Sequence, residues 1–220
     1  KEIHEQPKAV KDTLGSVIKD NCIDLSSVEL TEDEILGFDQ IYIVACGSAW
    51  HVGMAAQYVI EDLSDIPVRV ELASEFRYRR MSLNKNSLVI VISQSGETAD
   101  TLAALRLAKE KGIITLAVVN VVGSSIAREA DKVFYTLAGP EISVATTKAY
   151  SAQLAAMYCL AVQFAKVKNM ITEEQYSNYL SALLTIPEKI QKILQDKERL
   201  QWFAAKYANA HDVFFCWQRN

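Results

Sequence analysis

The stretch VIVISQSGETADT, residues 89–101, passes from four β-branched aliphatics straight into Ser93, Gln94, Ser95, Gly96, Glu97 and Thr98. An unbroken aliphatic run of this length reads as a strand buried on both faces. The adjoining ETADTLAALRLAKEKG reads as a helix, with Gly112 placed to end it. The same beat runs on either side. QIYIVAC is strand-like and SAWHVGMAAQYVIEDL helical; VRVELA, ITLAVVN and KVFYTL are further strands; GSSIAREA is a short helix and VATTKAYSAQLAAMYCLAVQFAKV a long one. Apolar strands alternating with helices indicate a parallel sheet covered on both faces, with right-handed crossovers. The expected fold class is α/β, a three-layer αβα sandwich around a doubly wound five-stranded parallel sheet, with C-terminal helices.

The flanks differ in character. A helix is expected from about His4 to Asp20, with Pro7 tolerated in its first turn. Thr31 and Glu34 have the spacing of a capping box. Beyond Lys166 the chain is charged and amphipathic: Leu180, Leu183 and Leu184 share a helix face, as do Ile190, Ile193 and Leu194. Pro187 is expected to kink or divide this region. The last residues, DVFFCWQRN, begin like a strand. The division expected is a helical lead-in over 1–38, the α/β domain over 39–167 and a helical connection over 168–220.

Composition sets limits. The 220 residues are 50% hydrophobic and 23% charged, with net charge −4, enough for one sizeable core. That balance gives no electrostatic reason to expect nucleic acid or an anionic membrane, so an anionic ligand must be held by local geometry. Cys22, Cys46, Cys159 and Cys216 form no C-x-x-C pair and only three histidines are present, which disfavours a zinc site. The cysteines read as small buried hydrophobes in a reducing cytosol. The first ten residues lack the apolar core of a signal peptide, and the run over 152–165 is broken by Gln153 and Gln163, short of a membrane span. Lys1 in place of Met is consistent with a piece of a longer chain or with processing. Neither G-x-G-x-x-G nor G-x-S-x-G occurs, which disfavours a dinucleotide cofactor and a serine hydrolase.

Ligands of a doubly wound sheet bind at the carboxyl ends of the strands. Three such ends are rich in small polar groups: CGSAWH, SQSGET and AGPEISVATTKA. A hydroxyl-rich turn entering a helix supplies O–H donors, N–H donors and a positive dipole end, which suits a phosphate without help from Lys or Arg. Helix capping accounts for a single Ser48 or Thr98 equally well, but several hydroxyls at one turn exceed what capping needs. Gly47 and Gly96 fit close backbone approach or simply tight turns. His51 reads as an acid/base or as a satisfied helix histidine. Glu97 is favoured at a helix start in any case. Glu141 reads as a ligand contact or a cap, and Lys148 as a phosphate counter-charge or, by default, a solvated lysine.

CGSAWHVG, ELASEFRYR, ISQSGETADTLAALR, GSSIAREAD and AGPEISVATTKAY resemble the sugar isomerase (SIS) family, and within it the isomerase region of the glutamine–fructose-6-phosphate aminotransferases. The resemblance implies that the chain is the first of two SIS subdomains. The partners implied are a glutaminase domain and a second SIS subdomain of the same polypeptide, in a cytoplasmic homodimer of hexosamine biosynthesis. The implied substrates are fructose 6-phosphate and, as product, glucosamine 6-phosphate, with no cofactor and no metal. It further implies that Ser93, Gln94, Ser95 and Thr98 hold the sugar phosphate, that Ser48 faces the phosphate or sugar, and that Val144 and Thr146 line the sugar. No catalytic residue is implied within this chain, because the family's proton-transfer Glu, ring-opening His and Schiff-base Lys lie in parts not matched here. Two departures stand out. Ala49 replaces the family's usual Ser, and a lost hydrogen bond to a charged phosphate costs about 1.5–3 kcal/mol where no water substitutes. The end, FFCWQRN, departs from the family's Gly-Arg-Gly turn. Trp202, Phe203 and Trp217 are expected either to lie against the second subdomain or to pack internally. A stand-alone, non-catalytic sugar-phosphate sensor is the alternative reading.

Overall fold

The computed structural model describes residues 1–80 and 82–214. The chain enters through a 3-10 turn, Glu2–Glu5, into helix α1 (Gln6–Val17), with Pro7 in its first turn. The helix stops three residues short of Asp20. Asp20 and Asn21 adopt φ of 48° and 57°, and they turn the chain between two short antiparallel strands, β1 (Ile18–Lys19) and β2 (Cys22–Ile23). Consecutive left-handed residues in a two-residue hairpin are the primed-turn geometry, which Asn and Asp tolerate better than other side chains. Helix α2 (Glu32–Gly37) carries the expected capping box of Thr31 and Glu34.

Five parallel strands come next: β3 (Gln40–Ala45), β4 (Val68–Leu72), β5 (Ser87–Ser93), β6 (Ile114–Val119) and β7 (Lys132–Tyr135), in the order β4-β3-β5-β6-β7. Between them lie α3 (Gly47–Ser64), α4 (Ala73–Phe76), α5 (Ala99–Glu110) and α6 (Ser125–Glu129), and after them α7 (Lys148–Val167), α8 (Glu173–Gln195) and α9 (Lys197–Tyr207). This is the α/β sandwich expected from the strand–helix beat.

Strand β5 shows why two helical layers are needed. All seven of its residues are buried. Leu88, Ile90 and Ile92 pack in one cluster with Val52 and Ile60 of α3, Leu14 of α1 and Leu160 of α7. Val89 and Val91 point the other way, into a cluster with Phe76 of α4, Leu105 of α5 and Ile126 of α6. The period-two alternation of a strand gives each face its own set of aliphatics, so each face requires a cover.

Several expectations are corrected. Helix α7 begins at Lys148, leaving 144–147 outside it; Thr147, at φ −133° and ψ −77°, is not helical. Pro187 does not divide its region: α8 runs through it for 23 residues. The proline cannot donate to the carbonyl of Leu183, but Tyr176, Leu180 and Leu183 before it and Ile186 and Ile190 after it all pack on the larger core cluster, which holds the helix together. The cysteines are not uniformly interior. Cys159 is buried, with its thiol pushed up to about 12 by desolvation, while Cys46 is half-buried and Cys22 exposed. Trp202 and Phe203 lie on α9, 58% and 42% exposed, so they do not pack internally. Cys216, Trp217 and most of the FFCWQRN ending lie outside the described residues. Among the described residues no helix is long and apolar enough to cross a membrane.

Ile90 sits at the centre of the sheet with 0% exposure. Ile90→Ala should therefore destabilise the chain by about 3 kcal/mol, read as a lower urea midpoint with unchanged slope.

Candidate functional site

Strands β3 and β5 are neighbours, with Ala45 opposite Ile92 at their carboxyl ends. From β3 the chain leaves through α3 to one face of the sheet; from β5 it leaves through α5 to the other. Backbones diverging from adjacent strands open a crevice between them, the switch point of a doubly wound sheet. The turns at residues 46–48 and 94–98 flank that crevice.

The second turn is tightly organised. Ser93, only 3% exposed, closes β5. Its Oγ accepts from the Gly96 amide at 3.0 Å and lies 2.9 Å from Thr98 Oγ1. Ser95 Oγ accepts from the Glu97 amide at 3.2 Å. Thr98 is the N-cap of α5, yet its side chain makes no bond to the helix amides; only its carbonyl joins the helix, accepting from Leu102 at 2.9 Å. Capping is therefore not what occupies the Thr98 hydroxyl. The amides of the first helical turn keep their donors, and the dipole adds a partial positive charge there. Hydroxyls and amides bind and orient; none of them titrates near neutral pH, so this turn offers recognition rather than proton transfer.

Gly96 makes the turn possible. It has φ +68°, and a Cβ there would stand 2.0 Å from Ser124 Oγ. The turn after β6 thus packs directly against the turn after β5. The Ile126 amide donates to the Gly96 carbonyl at 3.0 Å. The Glu97 carboxylate accepts from the Ser125 amide at 2.8 Å. The bonds from the backbone and side chain of Ser125 hold the Glu97 carboxyl below the usual carboxylate range. Glu97 thus serves the start of α6. One cation does stand close, against the expectation from sequence: Arg77 pairs with Asp100 at 2.8 Å, in the first turn of α5. Its charge is met by that carboxylate.

At the first turn, Ser48 is exposed in the opening turn of α3 and Gly47 has φ +57°. Ala49 packs its methyl against the larger core cluster. His51 is exposed and its ring meets that of Trp50 edge-on at 5.0 Å.

The third strand end is arranged differently from expectation. Val144 is fully exposed. Thr146 Oγ1 donates to Glu141 at 2.8 Å, and the Thr147 amide donates to the same carboxylate at 2.8 Å. Glu141 is therefore a cap for the start of α7. Lys148 is neither solvated nor free for an anion: it is 3% exposed and paired with Glu5 at 2.5 Å. Among the described residues no hydrogen bond joins Val144 or Thr146 directly to the 93–98 turn. The link is Asn120, just past the end of β6, which the apolar pattern alone assigns to the strand. Its amide donates to the Gln94 carbonyl at 3.3 Å, its Nδ2 to the Gly139 carbonyl at 2.7 Å, and its Oδ1 accepts from the Ala138 amide at 2.8 Å. A lone amide ending an aliphatic strand was the available signal. Among the described residues no three His, Cys, Asp or Glu side chains stand together as metal ligands.

Gly96→Ala should cost the chain more than about 1 kcal/mol, since the left-handed φ and the overlap with Ser124 act together; urea unfolding measures it. The Glu97 bond adds stability above the ordinary carboxylate range of ~4.3 and loses it as pH falls through the lower folded-state value. The stability gap between the wild-type chain and Glu97→Gln should accordingly shrink as unfolding is followed from pH ~6 down to ~3.

A family model described as SIS domain matches residues 34–163. The chain is 51% identical over 216 residues to the glutamine–fructose-6-phosphate aminotransferase [isomerizing] of Caldanaerobacter subterraneus, covering 98% of this chain and 36% of the relative. It is 53% identical to the enzyme of that name from Clostridium acetobutylicum, with the same coverage. The chain thus spans 36% of the length of these curated relatives. Among solved structures, the C-terminal domain of glucosamine-fructose-6-phosphate aminotransferase from Francisella tularensis superposes with a TM-score of 0.90 at 38% identity, over 94% of this chain and 59% of that one. Glucosamine-6-phosphate deaminase from Thermotoga maritima shares the fold, with a TM-score of 0.65 at 22% identity over 85% of this chain and 52% of that one. The chain belongs to the SIS-domain family, and over nearly its whole length it is similar to the glutamine–fructose-6-phosphate aminotransferases.

Proposed function

We propose that this chain is the phosphosugar-anchoring subdomain of an aminotransferase that converts fructose 6-phosphate and glutamine to glucosamine 6-phosphate and glutamate. The observation that carries the reading is the turn after β5, where the hydroxyls of Ser93 and Thr98 stand 2.9 Å apart at a helix start and the cap side chain, Thr98, takes none of the helix amides. In this reading Ser93, Gln94, Ser95, Thr98 and the amides of α5 surround the phosphate, and Ser48 approaches it from the neighbouring strand end. Val144 and Thr146 meet the sugar. Residues 39–167 form the SIS domain, 1–38 lead into it, and 168–220 connect toward a second SIS subdomain that completes the active site. The whole protein works as a homodimer in the cytoplasm, and the chemistry of amination belongs to groups outside this chain. Binding energy gathered at a remote phosphate still serves catalysis, because it orients the carbons that react. The names of the relatives, glutamine–fructose-6-phosphate aminotransferases, support the substrate class. A stand-alone sensor would draw on the same turn and has no observation of its own in its favour.

Fructose 6-phosphate at about a hundred times its dissociation constant should stabilise the chain by roughly 2.7 kcal/mol in a thermal-shift titration. Thr98→Ala should weaken that binding by about tenfold or more, since a bond to a charged group contributes about 1.5–3 kcal/mol. If fructose 6-phosphate, glucose 6-phosphate and glucosamine 6-phosphate all leave the melting curve unmoved at saturating concentration, the proposal fails.

A further inference from the structure

The loop from β7 to α7 has no regular structure between Thr136 and Thr147, yet it is fastened at several points. Asn120 holds its base at Ala138 and Gly139. Glu141 folds back on Thr146 and Thr147 at its end. Its middle is held from outside, by the first residues of the chain. Glu2 Oε1 accepts from the Ile142 amide at 2.7 Å, and Glu2 Oε2 accepts from the Ser143 amide at 3.3 Å. The same short stretch makes two more contacts at the start of α7. Glu5 pairs with the buried Lys148, and Gln6 Oε1 accepts from Ser151 Oγ at 2.6 Å. A cleft of ≈ 570 Å³ lies where this stretch meets the loop, and its lining includes none of residues 93–98. The fastening residues Glu2, Glu5 and Gln6 all precede the residues matched by the SIS model, 34–163.

We propose that Glu2 is a positioning residue: its carboxylate, by gathering the amides of Ile142 and Ser143, fixes the backbone that presents Val144 and Thr146 to the sugar. The inference rests on the phosphosugar reading above and adds to it a division of labour. The 93–98 turn, with Ser48 beside it, grips the phosphate without help from this loop. The sugar-facing loop is ordered by a carboxylate from the far end of the chain. The physical reason is entropic. A run from Glu141 to Thr146 that must be ordered on binding costs affinity residue by residue, and a loop already ordered does not incur that cost. One carboxylate taking two backbone N–H donors is the charge-assisted arrangement suited to fixing it. Gln6 and Glu5 anchor the stretch that carries Glu2, so that the carboxylate arrives preorganised.

The test uses the full chain and Glu2→Gln, with calorimetric titration of fructose 6-phosphate and, separately, inorganic phosphate, alongside amide hydrogen exchange. Exchange over residues 141–147 should quicken about tenfold in Glu2→Gln while β5 and its turn stay as in the wild type. Fructose 6-phosphate should bind about five- to tenfold more weakly, with inorganic phosphate and the urea midpoint unchanged. Glu2→Asp, which keeps the charge with shorter reach, should restore part of the loss. Unchanged fructose 6-phosphate affinity in Glu2→Gln overturns the role of Glu2 and leaves the phosphosugar reading standing. An equal loss for inorganic phosphate overturns it too, since the effect would then lie in the phosphate grip or the whole fold. A wild-type chain that binds neither ligand removes the phosphosugar reading, and this inference with it.

Discussion

The burial of β5 on both faces governs the rest of the molecule. A strand with seven buried residues cannot lie at a surface or in a one-sided sheet. Its two rows of aliphatics demand separate helical covers, and the chain supplies α1, α3 and α7 on one side and α4, α5 and α6 on the other. With β3 beside it feeding the opposite layer, the backbone must part at the carboxyl edge. The crevice there is a consequence of covering a strand twice; no residue is set aside to make it.

What fills the edge of that crevice is a set of polar groups that secondary structure leaves over. Ser93 lies on the last position of the strand, where its Oγ can still reach the amide of Gly96 and the hydroxyl of Thr98. The turn is so compact that its glycine is nearly in contact with Ser124 from the next strand end. The neighbouring turns therefore support each other: Glu97 serves the start of α6, and Ile126 bonds back to Gly96. Phosphate recognition without a free cation needs donors held in place beforehand, because amides and hydroxyls gain little from a flexible arrangement. The mutual packing of these turns would supply that rigidity in the proposed phosphosugar reading. Arg77, the cation that comes near, is already occupied by Asp100.

The loop before α7 shows a second way of holding residues in place. It borrows its order from distant parts of the chain, from Asn120 at the end of β6 and from Glu2 and Glu5 near the amino end. Lys148 illustrates the consequence for charge. A lysine at 3% exposure keeps its ammonium only with a partner, and Glu5 provides one from more than a hundred residues away in sequence. The lysine that the sequence offered as a phosphate counter-charge or a solvated side chain instead fastens the N-terminal stretch to the domain.

Local sequence was enough to specify the sheet, the helices on either side of it and the turn after β5. These arise from periodicity, from apolar runs and from hydroxyls crowded within six residues, all of which act over short distances along the chain. The capping box at Thr31 was legible for the same reason. The Asp20–Asn21 hairpin was missed: a helical pattern running into it hid a pair of turn-forming residues. Pro187 misled because packing on the core outweighs one lost backbone bond. The partners of Lys148, Glu2, Asn120 and Arg77 were settled by folding alone. Each pairs with a residue that no spacing rule connects to it, and hydrogen bonds and ion pairs depend on distance in space, which exists only once the chain has closed on itself.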